Sequence, residues 1–156
     1  MRISDKGFEL IKTFEGCKLF AYRDSVGVPT IGYGHTKNVR MGQAITQQQA
    51  DSFLREDLQG CEKVLNALEL SLRQGQFDAL CSWIFNLGEG NFLHSTMFRK
   101  LKAGATDVEV TDQLVRWFDA GGKHLKGLKR RRIAEANMYL GTELYYLNEN
   151  DNIKKR

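Results

Sequence analysis

The chain has 156 residues, 42% hydrophobic and 27% charged, with a formal net charge of +4. That length reads as one domain able to bury ~70% of its unfolded surface, and the composition excludes disordered and fibrous classes. No run approaches ~18 consecutive apolar residues, so no stable membrane insertion is expected, and Met1-Arg2-Ile3-Ser4-Asp5 lacks the apolar segment of a secretory signal.

The first predicted element is a helix opening at Ser4, an N-cap, with Asp5 at the positive helix end and Ile3 and Phe8 at staple positions. Leu10, Ile11 and Phe14 continue its apolar face, and Gly16 stops it. Leu19, Ala21, Val26, Val28, Ile31 and Tyr33 suggest short strands, with Asp24-Ser25-Val26-Gly27 as the turn between them. Thr46 and Gln49 form a capping box. The helix they open carries Ala50, Phe53, Leu54, Leu58 and Cys61 on one face and runs on to Leu68 as a connecting helix. Ser71 to Gln74 is a second box-like start. It leads into the most apolar helix, with Phe77, Leu80, Cys81, Ile84 and Phe85, ended by Gly88 and Gly90. Ser95 caps a short helix closing at Gly104. Asp107 caps the next, with Val110, Leu114, Trp117 and Phe118 inward and Gly121-Gly122 breaking it. Leu128 to Leu140 is the last helix, stopped by Gly141, and the polar tail over 147–156 reads as frayed. The expected fold is α+β and mostly helical, a single domain. Its parts are a small N-terminal lobe with sheet and connecting helix over about 1–68 and a helical lobe over about 69–146.

Cys17, Cys61 and Cys81 are an odd set without a Cys-x-x-Cys pair, which argues against a disulfide framework. Cys61 and Cys81 read as buried thiols acting as small hydrophobes. His35, His94 and His124 show no metal-ligand spacing, so neither a metal nor another cofactor is expected. His35 reads as a structural partner, hydrogen-bonded or paired with an acid. Lys123, Lys126 and Lys129 to Arg132 form a dense basic run. It admits a rival reading, a basic helical module for nucleic acid, but no recognition motif or stacked aromatics accompany it. The positive balance suits an anionic polymer of any kind.

The most informative stretch joins Glu15, Asp24 and Thr30. Two carboxyl groups held apart are the minimum apparatus for cleaving an acetal such as a glycosidic bond. Glu15 rides the last turn of a helix, a setting unfavourable to negative charge, whereas Asp24 belongs to a wetter turn and Thr30 to the returning strand. Two acids in different surroundings can take different roles. Thr30 offers a hydroxyl that can donate to Asp24 and accept from a water. Gly32 and Gly34, on alternate strand positions, read as a bulge or tight bend that also lets backbone approach a sugar.

Glu15-Gly16, Tyr22-x-Asp24 and Gly27-x-Pro29-Thr30-Ile31-Gly32-Tyr33-Gly34-His35-Thr36 resemble the catalytic region of phage-type lysozymes, the endolysins of glycoside hydrolase family 24. Phe85 to Phe92 with Ser95-Thr96 is similar to that family's central segment. Trp117, Gly121-Gly122-Lys123, Gly127-Leu128, Arg130-Arg131 and Glu135 are similar to its C-terminal one. The resemblance spans about Phe8 to Gly141. It implies a two-lobed lysozyme-like fold with the substrate in the cleft between lobes. It also implies hydrolysis of the β-1,4 bond between N-acetylmuramic acid and N-acetylglucosamine in bacterial peptidoglycan, for lysis of the phage host. Glu15, Asp24 and Thr30 are then the catalytic residues, and Asn86, Gly32 and Tyr33 the expected sugar contacts. Room for a water beside Asp24 favours inversion. One arginine among Arg130, Arg131 and Arg132 is expected to reach Glu15. The implied enzyme is a monomer made in the host cytoplasm. It acts on the periplasmic wall once a holin has opened the membrane, and it has no nucleic-acid partner.

Overall fold

The computed structural model describes residues 1–119 and 125–156. Helix α1 (Asp5–Glu15) is followed by strands β1 (Lys18–Arg23) and β2 (Pro29–Gly32). Helices α2 (Gln47–Ala67), α3 (Gln74–Leu87), α4 (Glu89–Leu93), α5 (Thr96–Lys102), α6 (Asp107–Leu114) and α7 (Leu125–Leu140) come next. Strands β3 (Tyr145–Leu147) and β4 (Ile153–Lys155) close the chain. The fold is α+β, mostly helical and two-lobed. A small antiparallel sheet packs with α2 on one side, while α3 and α7 form the centre of the helical lobe.

Helix α1 belongs structurally to the helical lobe, because it packs on α3 and α7. Gly7 makes that approach close. A Cβ there would lie 2.6 Å from Asp78 Cγ. Ser4 caps α1 as expected, its hydroxyl accepting from Gly7 N–H while donating to Asp78. Gly16, at φ 70°, takes the chain out of the helix through a backbone conformation that a side chain disfavours. Strands β1 and β2 then pair with Tyr22 opposite Thr30, and an irregularity between Lys18 and Tyr22 bends β1. The Thr46–Gln49 capping box is present, and α2 runs unbroken for 21 residues. Its inward stripe of Ala50, Leu54, Leu58, Cys61 and Leu65 is buried.

Several expected boundaries move. Helix α3 starts at Gln74, where the Gln76 side chain accepts from Arg73 N–H at 2.7 Å, so Ser71 lies outside it. Gly88 ends α3 at φ 97°, yet α4 follows at once and contains Gly90. Thr106, not Asp107, caps α6, since its hydroxyl accepts from Glu109 N–H. Helix α6 stops at Leu114, which leaves Trp117 and Phe118 beyond it. The Gly121-Gly122 break, Lys123 and His124 lie outside the described residues.

The tail is the clearest correction. It folds as a hairpin, with Tyr145 opposite Lys155 and Leu147 opposite Ile153. Asn148 organises the turn, its side-chain oxygen accepting from Asn150 and Asn152 N–H. Tyr145 pins the hairpin to α6. The ring is buried and its hydroxyl donates to Asp112 at 2.6 Å.

Candidate active site

Glu15 is the last residue of α1, where the helix leaves the helical lobe for β1. Its side chain is 21% exposed, and its Oε1 accepts a 2.7 Å bond from Arg131 Nη1. Among the three consecutive arginines Arg130, Arg131 and Arg132, the helical register of α7 brings Arg131 to Glu15. Arg131 is 4% exposed. Its guanidinium also reaches Glu135 Oε2 through Nε and the Ser82 backbone and hydroxyl oxygens through Nη2, each at 3.3 Å. The cation therefore offsets the negative end of α1 as well as the carboxylate.

Behind Arg131 lies a fully buried ionic cluster. Glu135 Oε1 stands 3.0 Å from Arg132 Nε, and Glu135 Oε2 accepts from Ser82 at 2.5 Å. Burial pushes the Glu135 carboxyl up from the usual glutamate range, with Arg132, Arg131 and the Ser82 bond opposing. Burial likewise lowers Arg132, against the pull of Glu135. Arg132 Nη2 continues to Asn86 Oδ1 at 2.5 Å. A chain of charge-assisted bonds thus joins Glu15 to Asn86 on the last turn of α3. Ser82 was not among the sequence candidates, Glu135 was named only within the family-like segment, and Arg132 only as one of three arginines that could reach Glu15. Their signal was the spacing Arg131-x3-Glu135 and Arg132-x2-Glu135, which puts both cations on the acid's side of one helix. This interior use of Arg131 and Arg132 removes two charges from the basic run, which weakens the nucleic-acid reading.

Asp24 sits at the β1 end of the hairpin turn, half-buried. Its Oδ1 accepts from Val26 N–H at 2.9 Å and from Val28 N–H at 2.8 Å. These bonds fix the carboxylate plane and leave Oδ2 uncommitted among the described residues. Thr30 does not donate to Asp24 as expected. It is 4% exposed, and its hydroxyl donates to the Val28 carbonyl at 2.8 Å. The same carbonyl accepts from Asp24 N–H at 3.0 Å. One residue, Val28, therefore sets both side chains through its N–H and its C=O, and Thr30 keeps acceptor capacity for a further partner.

The expected sugar contacts divide. Asn86 is half-buried and its side-chain oxygen accepts from Arg132, which leaves its two amide N–H donors for a further partner. Tyr33 belongs to the core of the small lobe. Its ring is buried and its hydroxyl accepts from Gln47 at 2.8 Å. Gly32 sits at φ 65°, a left-handed conformation that a side chain disfavours, while a Cβ there would make only ordinary contact with Ala50 at 3.5 Å, so the glycine serves the bend that ends β2. Neither Tyr33 nor Gly32 offers a side-chain contact to a sugar. His35 is buried, stacked on Phe53 at 4.2 Å, with Nδ1 2.9 Å from Asp57 Oδ2, the structural pairing anticipated for it. Cys61 and Cys81 are buried free thiols, and burial pushes Cys61 up to about 12 and Cys81 further in the same direction. Among the described residues no cluster of His, Cys, Asp and Glu has the arrangement of a metal site.

The model of the family described as phage lysozyme matches residues 12–135 of the chain. An endolysin of Acyrthosiphon pisum secondary endosymbiont phage 1 is 42% identical over 144 residues, covering 89% of this chain and 98% of its own. The crystal structure of a P22 lysozyme variant superposes with a TM-score of 0.82 at 39% identity, covering 90% of this chain and 99% of that one. The muramidase domain of SpmX from Asticaccaulis excentricus superposes with a TM-score of 0.83 at 38% identity, covering 89% and 97%.

Proposed function

The chain belongs to the phage lysozyme family, and from that premise we propose how its residues divide the work of a peptidoglycan-degrading glycosidase. Glu15 is the general acid that protonates the leaving oxygen of the β-1,4 bond between N-acetylmuramic acid and N-acetylglucosamine. As its proton departs, Glu15 becomes the carboxylate that Arg131 already meets at 2.7 Å, so the cation acts on charge developing in the transition state. Asp24 stays ionised, with Oδ1 anchored by two backbone N–H groups and Oδ2 free for a water or for the oxocarbenium-like sugar. Thr30 accepts one hydrogen of that water. The water attacks the anomeric carbon on the face opposite Glu15, which inverts it. Asn86 holds an N-acetyl group through its amide N–H.

The observation that carries this reading is the contrast between the two acids. One ends a helix against a buried guanidinium. The other is fixed by the amides of a hairpin turn on the adjoining strand. An NMR spectrum of the reducing-end product within the first minutes tests it. Inversion gives the α anomer first, and an initial β anomer overturns the role given to Asp24 and Thr30. In the same reading the enzyme works as a monomer and reaches the periplasmic wall after a holin opens the membrane. No described helix is long and apolar enough to cross a membrane. Expression without a holin, with the wall left intact until the membrane is permeabilised, tests that route.

A further inference from the structure

Strand β1 shows which of its side chains face outward. Leu19 and Ala21 pack against the core while Lys18 and Phe20 are exposed, so over this part of β1 Lys18 and Phe20 lie on the other face, and Tyr22 follows beyond the irregularity in the strand. Lys18 Nζ stands 5.3 Å from the centre of the Tyr22 ring, an independent sign that these two side chains project the same way. Tyr22 is paired with Thr30 in β2, so Thr30 shares that face. Phe20 lies between Lys18 and Tyr22 and is 73% exposed. Across the sheet it meets Ala44. The bonds flanking this bridge, Ala21 N–H to Gln43 O and Ile45 N–H to Leu19 O, make it a close pair whose partner is only a methyl group. The ring is left standing beside open space.

A single exposed apolar side chain is ordinary. Here four of the seven large exposed apolar residues among those described, Phe20, Val26, Val28 and Met41, belong to the small lobe, and Val26 and Val28 lie in the Asp24 turn itself. Of these only Phe20 is aromatic, and at 73% exposure it is the one that presents a flat apolar face to solvent. Phe20 follows the strand at about 7 Å from Tyr22. The C–H face of a pyranose is apolar and flat, and an exposed aromatic ring is the side chain that matches it. We propose that Phe20 is a stacking platform for a pyranose ring of the peptidoglycan glycan strand, one position removed from the bond that is cut. Lys18, beside it, meets the carboxylates that this polymer carries on its peptides. The inference rests on the cleft reading above, since it takes the face of Thr30 as the substrate face. A membrane surface also accepts an exposed phenylalanine, but it would not require the ring to share a sheet face with Thr30 and Tyr22.

The test compares wild type, Phe20→Ala and Phe20→Trp on soluble glycan strands. Phe20→Ala should raise KM about tenfold with kcat lowered less than about twofold, and Phe20→Trp should restore KM. Both variants should keep the thermal midpoint of the wild type, because the ring is exposed. In the Glu15→Gln background, Phe20→Ala should release the protein from sedimenting cell-wall sacculi to a similar extent. A KM within about twofold of wild type for Phe20→Ala overturns the proposal. So does an unchanged KM together with loss of binding to phosphatidylglycerol vesicles, which assigns the ring to a membrane. Wild-type lysis by Glu15→Gln would instead strike at the catalytic reading, so the two failures are separable.

Discussion

Replacing Arg131 by methionine probes the interior of the site. The substitution keeps most of the side-chain volume but removes the cation lying between Glu15 and Glu135. It deletes the bonds to Glu15 at 2.7 Å and to Glu135 and Ser82 at 3.3 Å. Arg132 remains beside Glu135, so the buried acid keeps one partner and loses the other. Breaking a buried ion pair from one side costs about 3–5 kcal/mol. At ~2–4 °C per kcal/mol for a domain of this size, Tm should fall by roughly 6–20 °C. The loss should depend on pH with a definite sign. Burial already raises the proton affinity of Glu135, and Arg131 is one of the groups opposing that rise. In the variant the folded protein therefore holds a proton on Glu135 at pH values where the unfolded chain has lost it, above ~4.3. Stability must then fall as pH rises through that window. The deficit relative to wild type should be small near pH 5 and large near pH 8. Calorimetric or urea unfolding of both proteins across that range measures it. A deficit below ~1 kcal/mol, or one that is flat with pH, would refute the claim that Arg131 is the cation balancing a buried acid.

Two further outcomes follow from the same structure. Tyr145→Phe removes the hydroxyl that donates to Asp112 at 2.6 Å and stands 2.8 Å from Thr111. It should lower unfolding free energy by about 1–3 kcal/mol in urea titrations and loosen amide protection in the C-terminal hairpin. A thiol reagent should label Cys17 in the native protein. Cys61 and Cys81 should react only on unfolding, because they are buried and held as thiols. Native labelling of all three would contradict the packing of α2 against α3.

What was legible in the sequence was mostly local. Ser4, the Thr46–Gln49 pair, Ser95 and Gly141 act within a few residues of themselves, and each marks the helix boundary expected of it. The stretch from Glu15 to Thr30 could be read because α1, the turn and β2 follow one another directly. Arg131 could be narrowed only to one of three arginines, since its partner Glu15 is 116 positions away and the choice depends on how α7 rolls against α1. The inward face of α7 carries Arg131, Arg132 and Glu135, so its buried side looks like a solvated one on paper. The tail was misjudged for a related reason. Its polar residues do structural work, with Asn148 bridging the turn and Lys155 paired with Asp112, while the apolar contribution rests on Tyr145 and Ile153. The partner of Thr30 was missed because a backbone carbonyl, that of Val28, competes with the carboxylate.

The central claim is that Glu15 supplies the proton that breaks the glycosidic bond. The most direct measurement is the clearing of a purified cell-wall suspension by wild type and by Glu15→Gln, alongside their thermal unfolding. The glutamine can still accept from Arg131, so Tm should move by no more than a few degrees. Lytic rate should fall by about 10²–10⁴-fold, the share of a general acid. Clearing at the wild-type rate by a folded Glu15→Gln protein would contradict the account.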